Sequence, residues 1–562
     1  MAWLLGRFSK LKSNQDFSPP QKPVFTFKDD RNIVFGGGES LIHKFDDENK
    51  FIVCGTGIDV ENELIMQQAD WTKAIRSGEI INSEGHYLVT EISDKNVCIS
   101  NDKLGLREVF LYEDKTSIYY STRLDLLLPY IKDKKINLEF LCSYWNLQNP
   151  LIYETFLKNV QILGPFGEAE ISESGIKLKR KKWIPEIFET SPNEAIIHLS
   201  RIVKSVFNSN RCIDLGLSGG IDSRTLLSMF IHYDKNLWQT HTFGNADSID
   251  FRIGSKISEK LQLNKRFLSK NKFENGNELD NWQEFVKETL GFLPAYAYHE
   301  LSYYKLLDKK HFMIDGGKGE YIRRGLSNRL AFQGKRALLN NNVQLLKQYF
   351  ICDKPKIFYD HIFENQDSLL DSQISGLLES MPNAKEFGTE NWVDLYNVRY
   401  RTGMSGFASQ TRLDGIIANC MPFIQPSLLN YIFNLQPKVR MNEIINRKII
   451  SRNKILKHFP LARYSTIIPY QHNKFTSLAF GKIISKFVKE TNNDKIRFIN
   501  FNKDYALSRV SEIGFVNSSL YNSKKIANEV SKFFDGKSAD TELIIWWMTF
   551  DVWHKLIFEG GD

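Results

Sequence analysis

Residues 215–227 read LGLSGGIDSRTLL and contain an abrupt change of pattern. The apolar residues around Ile213 and Leu215 predict a buried strand that ends at Leu217. Helical spacing of apolar residues begins after Asp222, which predicts a helix from that residue onward. The two elements are joined by a turn that contains two glycines and has a hydroxyl side chain at each end.

This turn has the composition of an anion-binding loop. Gly219 and Gly220 let the backbone turn sharply and bring its N–H groups close to a ligand. The start of the following helix favours phosphate, and Ser218 and Ser223 add hydroxyl donors. Asp222 would repel a bare phosphate, but it is a suitable ligand for Mg²⁺, which prefers one or two carboxylates together with phosphate oxygens. The alternative is a plain glycine turn between a buried strand and a helix.

Length and composition indicate a globular protein of two or three domains. The chain has 562 residues, of which 42% are hydrophobic and 25% charged, and its net charge of +8 is spread along the sequence. Scattered lysines do not indicate nucleic-acid binding. Six distant cysteines without a C-x-x-C pair argue against a zinc site or disulfides and suggest the cytoplasm. Residues 543–558, LIIWWMTFDVWHKLIF, are too short and too charged to span a membrane and predict a buried terminal helix.

Two regions with different patterns of predicted strands and helices follow each other along the chain. From about residue 51 to 181, short β-like runs alternate with turn residues, as in an antiparallel sheet. After a charged boundary, strands and helices alternate, which implies a parallel sheet with ligands at the carboxyl ends of its strands. We therefore predict an α/β protein with one domain over residues 1–185 and another over residues 190–562.

SGGIDS, residues 218–223, resembles the pyrophosphate loop of the N-type ATP pyrophosphatases. The Walker pattern G-x-x-x-x-G-K-[ST] does not occur in the chain. Three further stretches, in the same order, resemble asparagine synthetase motifs, and in the first of them Asp102 and Gly105 match the family while Asn101 replaces its arginine. The stretches are NDKLGLREVFLYEDKTSIYYSTRLDLLL (101–128), LIYETFLKNVQILGPFGEAEISESGIKLKRKKWIPE (151–186) and CMPFIQPSLLNYIFNLQPKVRM (420–441).

The resemblance covers residues from about 78 to 562 and implies both a fold and a reaction. The fold would be an N-terminal sandwich like the Ntn glutaminase domain, followed by an ATP-pyrophosphatase domain with a parallel sheet and many helices. Asparagine synthetase, the β-lactam synthetases and the lasso-peptide cyclases use ATP and Mg²⁺ to adenylate a carboxylate, and an amine then displaces AMP.

The resemblance also assigns site residues. It implies a metal site at Asp222 and Glu320, catalytic roles for Asp315 and Glu320, and an adenine site at His241, Thr242 and Phe243. The residues that it implies for nucleotide binding are Leu217, Ser218, Gly219, Gly220, Asp222, Ser223, Phe243 and Gly316.

Three departures from the family pattern qualify this reading. A glutaminase of this kind needs a cysteine after the initiator methionine, but Ala2 stands there and the first cysteine, Cys54, lies in a predicted strand, so glutamine hydrolysis is expected to be lost. In MIDGGKGEYIRRG, residues 313–325, Gly319 replaces an expected aspartate, and Glu320 and Asp315 remain as the acids.

The third departure concerns the lysine that assists amide formation in the family. Arg463 lies in a neighbouring register, Lys474 lies further on, and Lys448 matches a structural basic residue, so no catalytic lysine is assigned.

The leading interpretation is an ATP-dependent amide-forming ligase without its own glutaminase. Its partners would be a small-molecule or peptide carboxylate and an amine or ammonia, supplied free, by the substrate or by a partner protein. No nucleic acid or membrane partner is expected. The alternatives are asparagine synthetase proper and a degenerate relative that binds nucleotide without turnover. The sequence does not identify the carboxylate acceptor.

Overall fold

The computed structural model describes residues 2–11, 17–19, 22–244, 246–269, 278–298, 303–463, 466–472, 476–477 and 493–560. Its architecture is mixed α/β, with two antiparallel sheets, one parallel sheet and many helices.

The first 180 residues form the two antiparallel sheets. Their order is β11-β9-β10-β1-β3-β2 in one sheet and β13-β12-β8-β7-β5-β4 in the other, where β6 pairs with β5. The strands are β1 Trp3–Ser9, β2 Phe25–Lys28, β3 Asn32–Gly37, β4 Leu41–Phe45, β5 Lys50–Asp59, β6 Leu64–Ile65, β7 Glu84–Ile92, β8 Val97–Asn101, β9 Phe110–Glu113, β10 Ser117–Ser121, β11 Val160–Ile162, β12 Gly167–Ser172 and β13 Gly175–Arg180.

Strand alternation builds a helix–sheet–sheet–helix stack. Leu4 and Ile52 belong to the core between the two sheets, together with Leu88. The residues next to them in sequence point the other way, because successive side chains of a strand face opposite sides. Helix α1 (Gln68–Ser77) covers the outer face of the second sheet through Trp71. Helices α2 (Leu124–Leu127) and α3 (Leu138–Asn146) cover the outer face of the first.

The parallel sheet has five strands in the order β16-β15-β14-β17-β18. They are β14 Ile213–Gly216, β15 Trp238–Gly244, β16 Lys265–Ser269, β17 Phe312–Ile314 and β18 Ala418–Cys420, and every neighbouring pair is parallel. The predicted strand and helix around the glycine turn are both present. The strand ends at Gly216, one residue earlier than predicted, and the helix begins at Ile221.

The chain changes direction within this sheet between β14 and β17. It first adds β15 and β16 on one side of β14 and then crosses to add β17 and β18 on the other. Where the strand order reverses in this way, a crevice opens at the carboxyl ends of the two adjacent strands. The loops after Gly216 and Ile314 therefore meet at the edge of one crevice.

Helices cover both faces of the parallel sheet. On one face lie α4 (Pro192–Phe207), α5 (Ile221–Phe230) and α6 (Ile249–Leu261). The remaining α-helices are α7 Glu278–Thr289, α8 Asn328–Phe332, α9 Lys335–Leu339, α10 Val343–Phe350, α11 Gln366–Ser380, α12 Ala384–Phe387, α13 Thr389–Tyr396, α14 Phe407–Asp414, α15 Pro426–Asn434, α16 Pro437–Met441, α17 Ile444–Ser451, α18 Asn493–Phe501, α19 Lys503–Ser511, α20 Ile513–Val516, α21 Ser523–Phe534 and α22 Thr541–His554.

Shorter elements lie between these helices and strands in the described part of the chain. Residues Asn397–Gly406 take the wider π-helical form and join α13 to α14. A hairpin is formed by β19 (Leu461–Arg463) and β20 (Thr466–Ile468). Single 3₁₀ turns lie at Glu79–Asn82, Ala295–Ala297, Tyr303–Leu306, Asp360–Phe363, Pro422–Ile424 and Leu456–His458, and a π-helical turn, Lys555–Gly560, follows α22.

The terminal helix α22 is buried, as predicted, and ties the two halves together. Ten of its side chains from Leu543 to Trp553 are buried. Phe550 and Trp553 pack on Phe156 of the N-terminal region, with ring centroids 5.6 and 5.0 Å apart. Within the described ranges, every helix is too short or too polar to cross a lipid bilayer.

We expect Trp553→Ala to destabilise the protein by about 3–5 kcal/mol, because it empties a large volume inside a core shared by both halves. Urea unfolding followed by circular dichroism would measure the change. Ile513→Ala is the matched control, since Ile513 is 79% exposed and its truncation should change stability by less than about 0.5 kcal/mol. Equal unfolding midpoints for the two variants would contradict this account of the core.

Candidate functional site

A cavity of about 280 Å³ lies at the carboxyl ends of β14, β15 and β17. Most of the predicted site residues meet there. Those that line the cavity are Leu217, Ser218, Gly220, Asp222, Ser223, His241, Thr242, Phe243, Asp315 and Gly316. Gly219 belongs to the loop but does not line the cavity. Glu320 follows Gly317 on the neighbouring loop and does not line the cavity either.

Two hydroxyl groups fix the loop after β14. The Oγ atoms of Ser218 and Ser223 are 3.0 Å apart, and the backbone N–H of Ser218 donates to Ser223 Oγ at 3.1 Å. The N–H of Gly220 donates to Ser218 Oγ at 3.1 Å. The turn is therefore held by its own serines, with those hydroxyls at the cavity wall.

Asp250 contacts the same loop and was missed by sequence reasoning. It lies in the first turn of α6, and its carboxylate accepts a hydrogen bond of 2.8 Å from the N–H of Gly219. The N–H of Gly219 is therefore occupied by a carboxylate of the protein itself. The sequence marked Asp250 as a residue at a helix start, where acids are common, so nothing distinguished it from an ordinary capping residue.

The hairpin β19–β20 supports the loop from behind. The N–H of Ala462 donates to the carbonyl of Gly219 at 2.9 Å, and Arg224 donates to the carbonyls of Phe459 and Pro460 at 2.7 and 2.6 Å. A Cβ added at Gly219 would lie 2.8 Å from the Cβ of Ala462. The hairpin can therefore pack this closely only because residue 219 is a glycine.

The loop after β17 lies directly on the start of α5. A Cβ at Gly316 would be 2.7 Å from the backbone nitrogen of Ser223, and a Cβ at Gly319 would be 2.3 Å from Cγ of Asp222. An aspartate at position 319 would collide with Asp222 in this arrangement. The departure at Gly319 thus has a steric reason.

Asp222 forms a two-pronged ion pair with Arg323. Nε of Arg323 is 3.1 Å from both carboxylate oxygens, and Nη2 is 2.9 Å from Oδ2. Burial raises the pKa of Asp222, Arg323 lowers it, and the nearby charges of Glu320 and Glu443 raise it. Arg323 occupies a position that sequence reasoning passed over, because an arginine after a glycine loop is usually a surface residue.

Asp315 and Glu320 share one electrostatic environment with Asp222. Burial raises the pKa of Asp315, the N–H of Gly317 lowers it by donating at 2.7 Å, and the charge of Glu320 raises it. Glu320 acts in the same direction on Asp222. The charge of Glu320 therefore acts on both Asp222 and Asp315.

These acids fit Mg²⁺ only as a partial ligand set. Among the described residues, no three His, Cys, Asp or Glu side chains are arranged to hold a metal ion. Asp222 and Glu320 would supply two carboxylates, which suits a cation that takes its other ligands from phosphate and water. A metal ion held here would depend on a bound phosphate group.

The far end of the cavity is aromatic. Phe243 stacks on Tyr303 with centroids 5.4 Å apart, and Tyr304 meets His241 edge-on at 6.0 Å. His241 is buried, and neither of its ring nitrogens has a hydrogen-bond partner within the part of the chain that the structure describes. Flat aromatic surfaces beside unsatisfied ring nitrogens suit a heterocyclic base.

Lys318 is a cation within the acid loop. Its backbone has φ 65°, and burial lowers the pKa of its side chain while Glu320 and Asp315 raise it. A Cβ added at Gly406, where the π-helical segment ends, would lie 3.6 Å from Nζ of Lys318. Sequence reasoning missed Lys318 because it searched for the family's lysine in another segment.

The basic residues considered from sequence lie elsewhere. Arg463 is paired with Glu443 at 2.6 Å, and Lys448 lies on an exposed part of α17, 3.5 Å from Asn193. Lys474 lies outside the described residues.

A buried polar cluster stands at the amino-terminal end of the sandwich. Ala2 is buried, and its carbonyl accepts a hydrogen bond of 2.7 Å from Arg107. Arg107 also lies 3.1 Å from Asp414 of α14, which contacts His86 at 2.9 Å. Cys54 is buried in β5, and burial raises the pKa of its thiol to about 11. This corner therefore contains a buried thiol and a buried ion pair between segments that are distant in sequence.

Neither a protein-family model nor a curated protein sequence matches the chain. Among solved structures, the chain is similar to glutamine phosphoribosylpyrophosphate amidotransferase from B. subtilis complexed with ADP and GMP. The identity is 11%, with 62% of this chain and 79% of that chain covered and a TM-score of 0.19. The allosteric regulatory enzyme of purine biosynthesis is 11% identical over 66% of this chain and 86% of that chain, with a TM-score of 0.20. TM-scores this low do not establish a shared fold.

His241 gives the site a pH-dependent stability. Burial lowers its pKa from 6.5 to about 4, so between these values the unfolded chain binds a proton that the folded chain does not. Stability should therefore fall as the pH drops from about 6.5 to about 4, by an amount on the order of 3 kcal/mol from this residue.

Urea unfolding of the parent and of His241→Gln across this pH range tests the prediction. The variant should lose less stability on acidification than the parent. His232→Gln, at an exposed position, is the control and should keep the parent's pH dependence. A variant at position 241 with the parent's full acid sensitivity would show that the proton is taken up elsewhere.

Proposed function

We propose that this chain is an ATP-dependent ligase that adenylates a carboxylate and transfers the acyl group to an amine or ammonia, releasing AMP and pyrophosphate. The observation that carries this proposal is the SGGIDS loop at the point where the parallel sheet reverses its strand order. In the proposed reading, residues 1–185 are an Ntn-like sandwich and residues 190–562 an ATP-pyrophosphatase domain. The six free cysteines suit the cytoplasm.

The cavity offers complementary places for the parts of ATP. The phosphates would lie against the hydroxyls of Ser218 and Ser223 and the start of α5. The base would lie at the aromatic end, between His241 and Phe243. Asp222 and Glu320 would hold Mg²⁺, which neutralises charge on the departing pyrophosphate when it is bound.

The reaction then proceeds in two displacements. A carboxylate oxygen of the acceptor attacks the α-phosphorus, the bond to the β-phosphate oxygen breaks, and pyrophosphate leaves with the electron pair. The amine next attacks the acyl carbon, the bond to AMP breaks, and the amine loses a proton. Asp315 and Glu320 are the candidate bases, and the raised pKa of Asp315 makes its carboxylate a better proton acceptor.

Lys318 is the candidate for the cation that amide formation requires. Burial and the charge of Arg401 lower the pKa of Lys318, whereas Glu320 and Asp315 favour its charged form. In this proposal it stabilises the negative charge that develops on the acyl oxygen during attack. In this proposal Lys318 takes the role that the resemblance gives to a lysine in the segment around Arg463.

The N-terminal sandwich would serve as a scaffold. The methyl group of Ala2 can neither attack an amide nor carry an acyl group. The ion pair of Arg107 with Asp414 connects this domain to the synthetase half. The amine would therefore arrive free, from within the substrate or from a partner protein.

One observation favours a second candidate, a nucleotide-binding relative without turnover. Arg323 contacts both oxygens of Asp222, the carboxylate on which the catalytic reading depends. Asparagine synthetase proper is the third candidate, and the absence of an acid at Gly319 counts against it.

Exchange of labelled pyrophosphate into ATP, measured across a panel of amino acids, sugar acids and peptides, separates these candidates. We expect exchange that depends on one class of carboxylate, and a loss of at least about 100-fold in Asp222→Asn, because the charge that stabilises the departing pyrophosphate is removed. ATP binding without exchange for any acceptor would favour the non-catalytic candidate. Exchange with aspartate alone would favour asparagine synthetase.

Asp234→Asn is the matched control for this experiment. Asp234 caps the turn that enters β15, at the opposite edge of the sheet, and asparagine can accept the same hydrogen bond from Asn236. This variant should keep the parent's exchange rate. Full exchange in Asp222→Asn would refute the role given to Asp222.

A separate prediction concerns glutamine. Incubation with glutamine, with or without ATP, should produce no glutamate above background, because Ala2 offers no nucleophile and the Cys54 thiol is buried and neutral. Cys54→Ala should behave as the parent does. Glutamate formation that disappears in Cys54→Ala would identify a nucleophile that this proposal denies.

A further inference from the structure

We propose that Arg323 is a displaceable counter-ion of Asp222, and that this displacement couples the binding of a divalent cation to the binding of phosphate. The proposal rests on the proposed function, because it concerns the same site. Arg323 takes no part in the bonds that form or break, and its proposed role concerns ligand binding alone.

Arg323 and Asp222 are in direct contact. The guanidinium of Arg323 donates to both oxygens of Asp222 over 2.9–3.1 Å. The side chains are only 27% and 16% exposed, so water screens the pair weakly. Any cation that binds Asp222 must therefore compete with a charge-assisted, two-pronged hydrogen bond.

Several charged side chains surround this pair. Three carboxylates, those of Asp222, Glu443 and Glu320, raise the pKa of Arg323. Glu443 is already paired with Arg463 at 2.6 Å and Arg447 at 3.3 Å. Arg323 is thus the side chain that neutralises Asp222 directly, and displacing it without a replacement anion costs Arg323 the one carboxylate that it contacts directly among the described residues.

The protein offers few side chains that could bind a metal ion at this place. The described part of the chain brings together fewer than three potential metal-binding side chains at any one place. A cation alone would gain two carboxylates at most while it displaces Arg323. If phosphate is present, it offers oxygens both to the cation and to the guanidinium, whose planar fork matches phosphate well. The two ligands should therefore bind far better together than separately.

The backbone around Arg323 is suited to this exchange. Ile322 is buried in the core, and Arg324 is anchored by Asp394 at 2.8 Å. The N–H of Gly325 donates to the carbonyl of Glu320 at 2.7 Å and closes the turn between them. The main chain is fixed on both sides, so the side chain of Arg323 can change partner without moving the acid loop.

The test measures binding rather than turnover. Electron paramagnetic resonance with Mn²⁺, with and without pyrophosphate, gives the affinity for the cation alone and its enhancement by phosphate. Formation of the Mn²⁺–pyrophosphate complex in solution is common to all variants, so differences between variants report the protein. In the parent we expect weak binding of Mn²⁺ alone and an enhancement by pyrophosphate of at least about tenfold, within the usual range of coupling between sites.

Arg323→Gln should bind Mn²⁺ alone more tightly, by about tenfold, and its enhancement by pyrophosphate should fall below about threefold. Arg323→Lys keeps the charge without the fork and should lie between this variant and the parent. Arg329→Gln is the matched control, because Arg329 is exposed and bonds to Gln333, and it should behave as the parent does.

The possible outcomes distinguish a failure of this proposal from a failure of the proposed function. If the parent shows coupled binding but Arg323→Gln and Arg323→Lys keep the same enhancement, Arg323 does not couple the ligands and this proposal alone is overturned. If the parent binds neither pyrophosphate nor ATP, the proposed function is overturned and this proposal with it.

Discussion

No side chain fits between the loop that follows β14 and the loop that follows β17. Gly316 and Gly319 lie on the backbone of Ser223 and the carboxylate of Asp222, and a Cβ at either position would be 2.7 Å or less from its nearest atom. Gly219 repeats this constraint on the other side, against Ala462. The closeness of these three segments shapes the cavity wall and brings the acids together.

This close packing brings several carboxylates together, and arginines neutralise their negative charge. Asp222, Glu320 and Glu443 lie near one another, and burial makes isolated carboxylates costly. Arg323 and Arg463 provide the compensating charges. Under the proposals made above, a cation and phosphates that bind here would redistribute these ion pairs. Such redistribution connects the affinity of one ligand to the presence of another.

Two of the contacts that join the N-terminal sandwich to the rest of the molecule differ in kind. Around Phe156 and Trp553 the contact is an apolar, aromatic core. Around Arg107 and Asp414 it is a buried ion pair. The first supplies stability through burial. The second requires a specific geometry, since either charge left alone in the interior would be costly. Together they hold the N-terminal sandwich against the C-terminal half of the chain.

The sequence by itself determined the local features of this protein. The strand–turn–helix around SGGIDS, the short alternating strands of the sandwich and the buried helix 541–554 were all predictable, because periodicity and turn chemistry act between residues a few positions apart. The predicted ends were displaced only slightly, by one residue at Gly216 and at Ile221. Asp222, Asp315 and Gly316, which were predicted from the sequence, line one cavity, and their roles in that cavity stay predictions.

The tertiary structure alone decided which residues meet. Asp250 and Tyr304 line the cavity, and Arg323 contacts Asp222, because loops from different strands converge on one crevice, and no local pattern encodes such convergence. It also explained the glycine at position 319, whose reason is the position of Asp222 nearly one hundred residues earlier. Contacts between distant segments depend on the packing of whole elements. Their partners cannot be read from spacing along the chain.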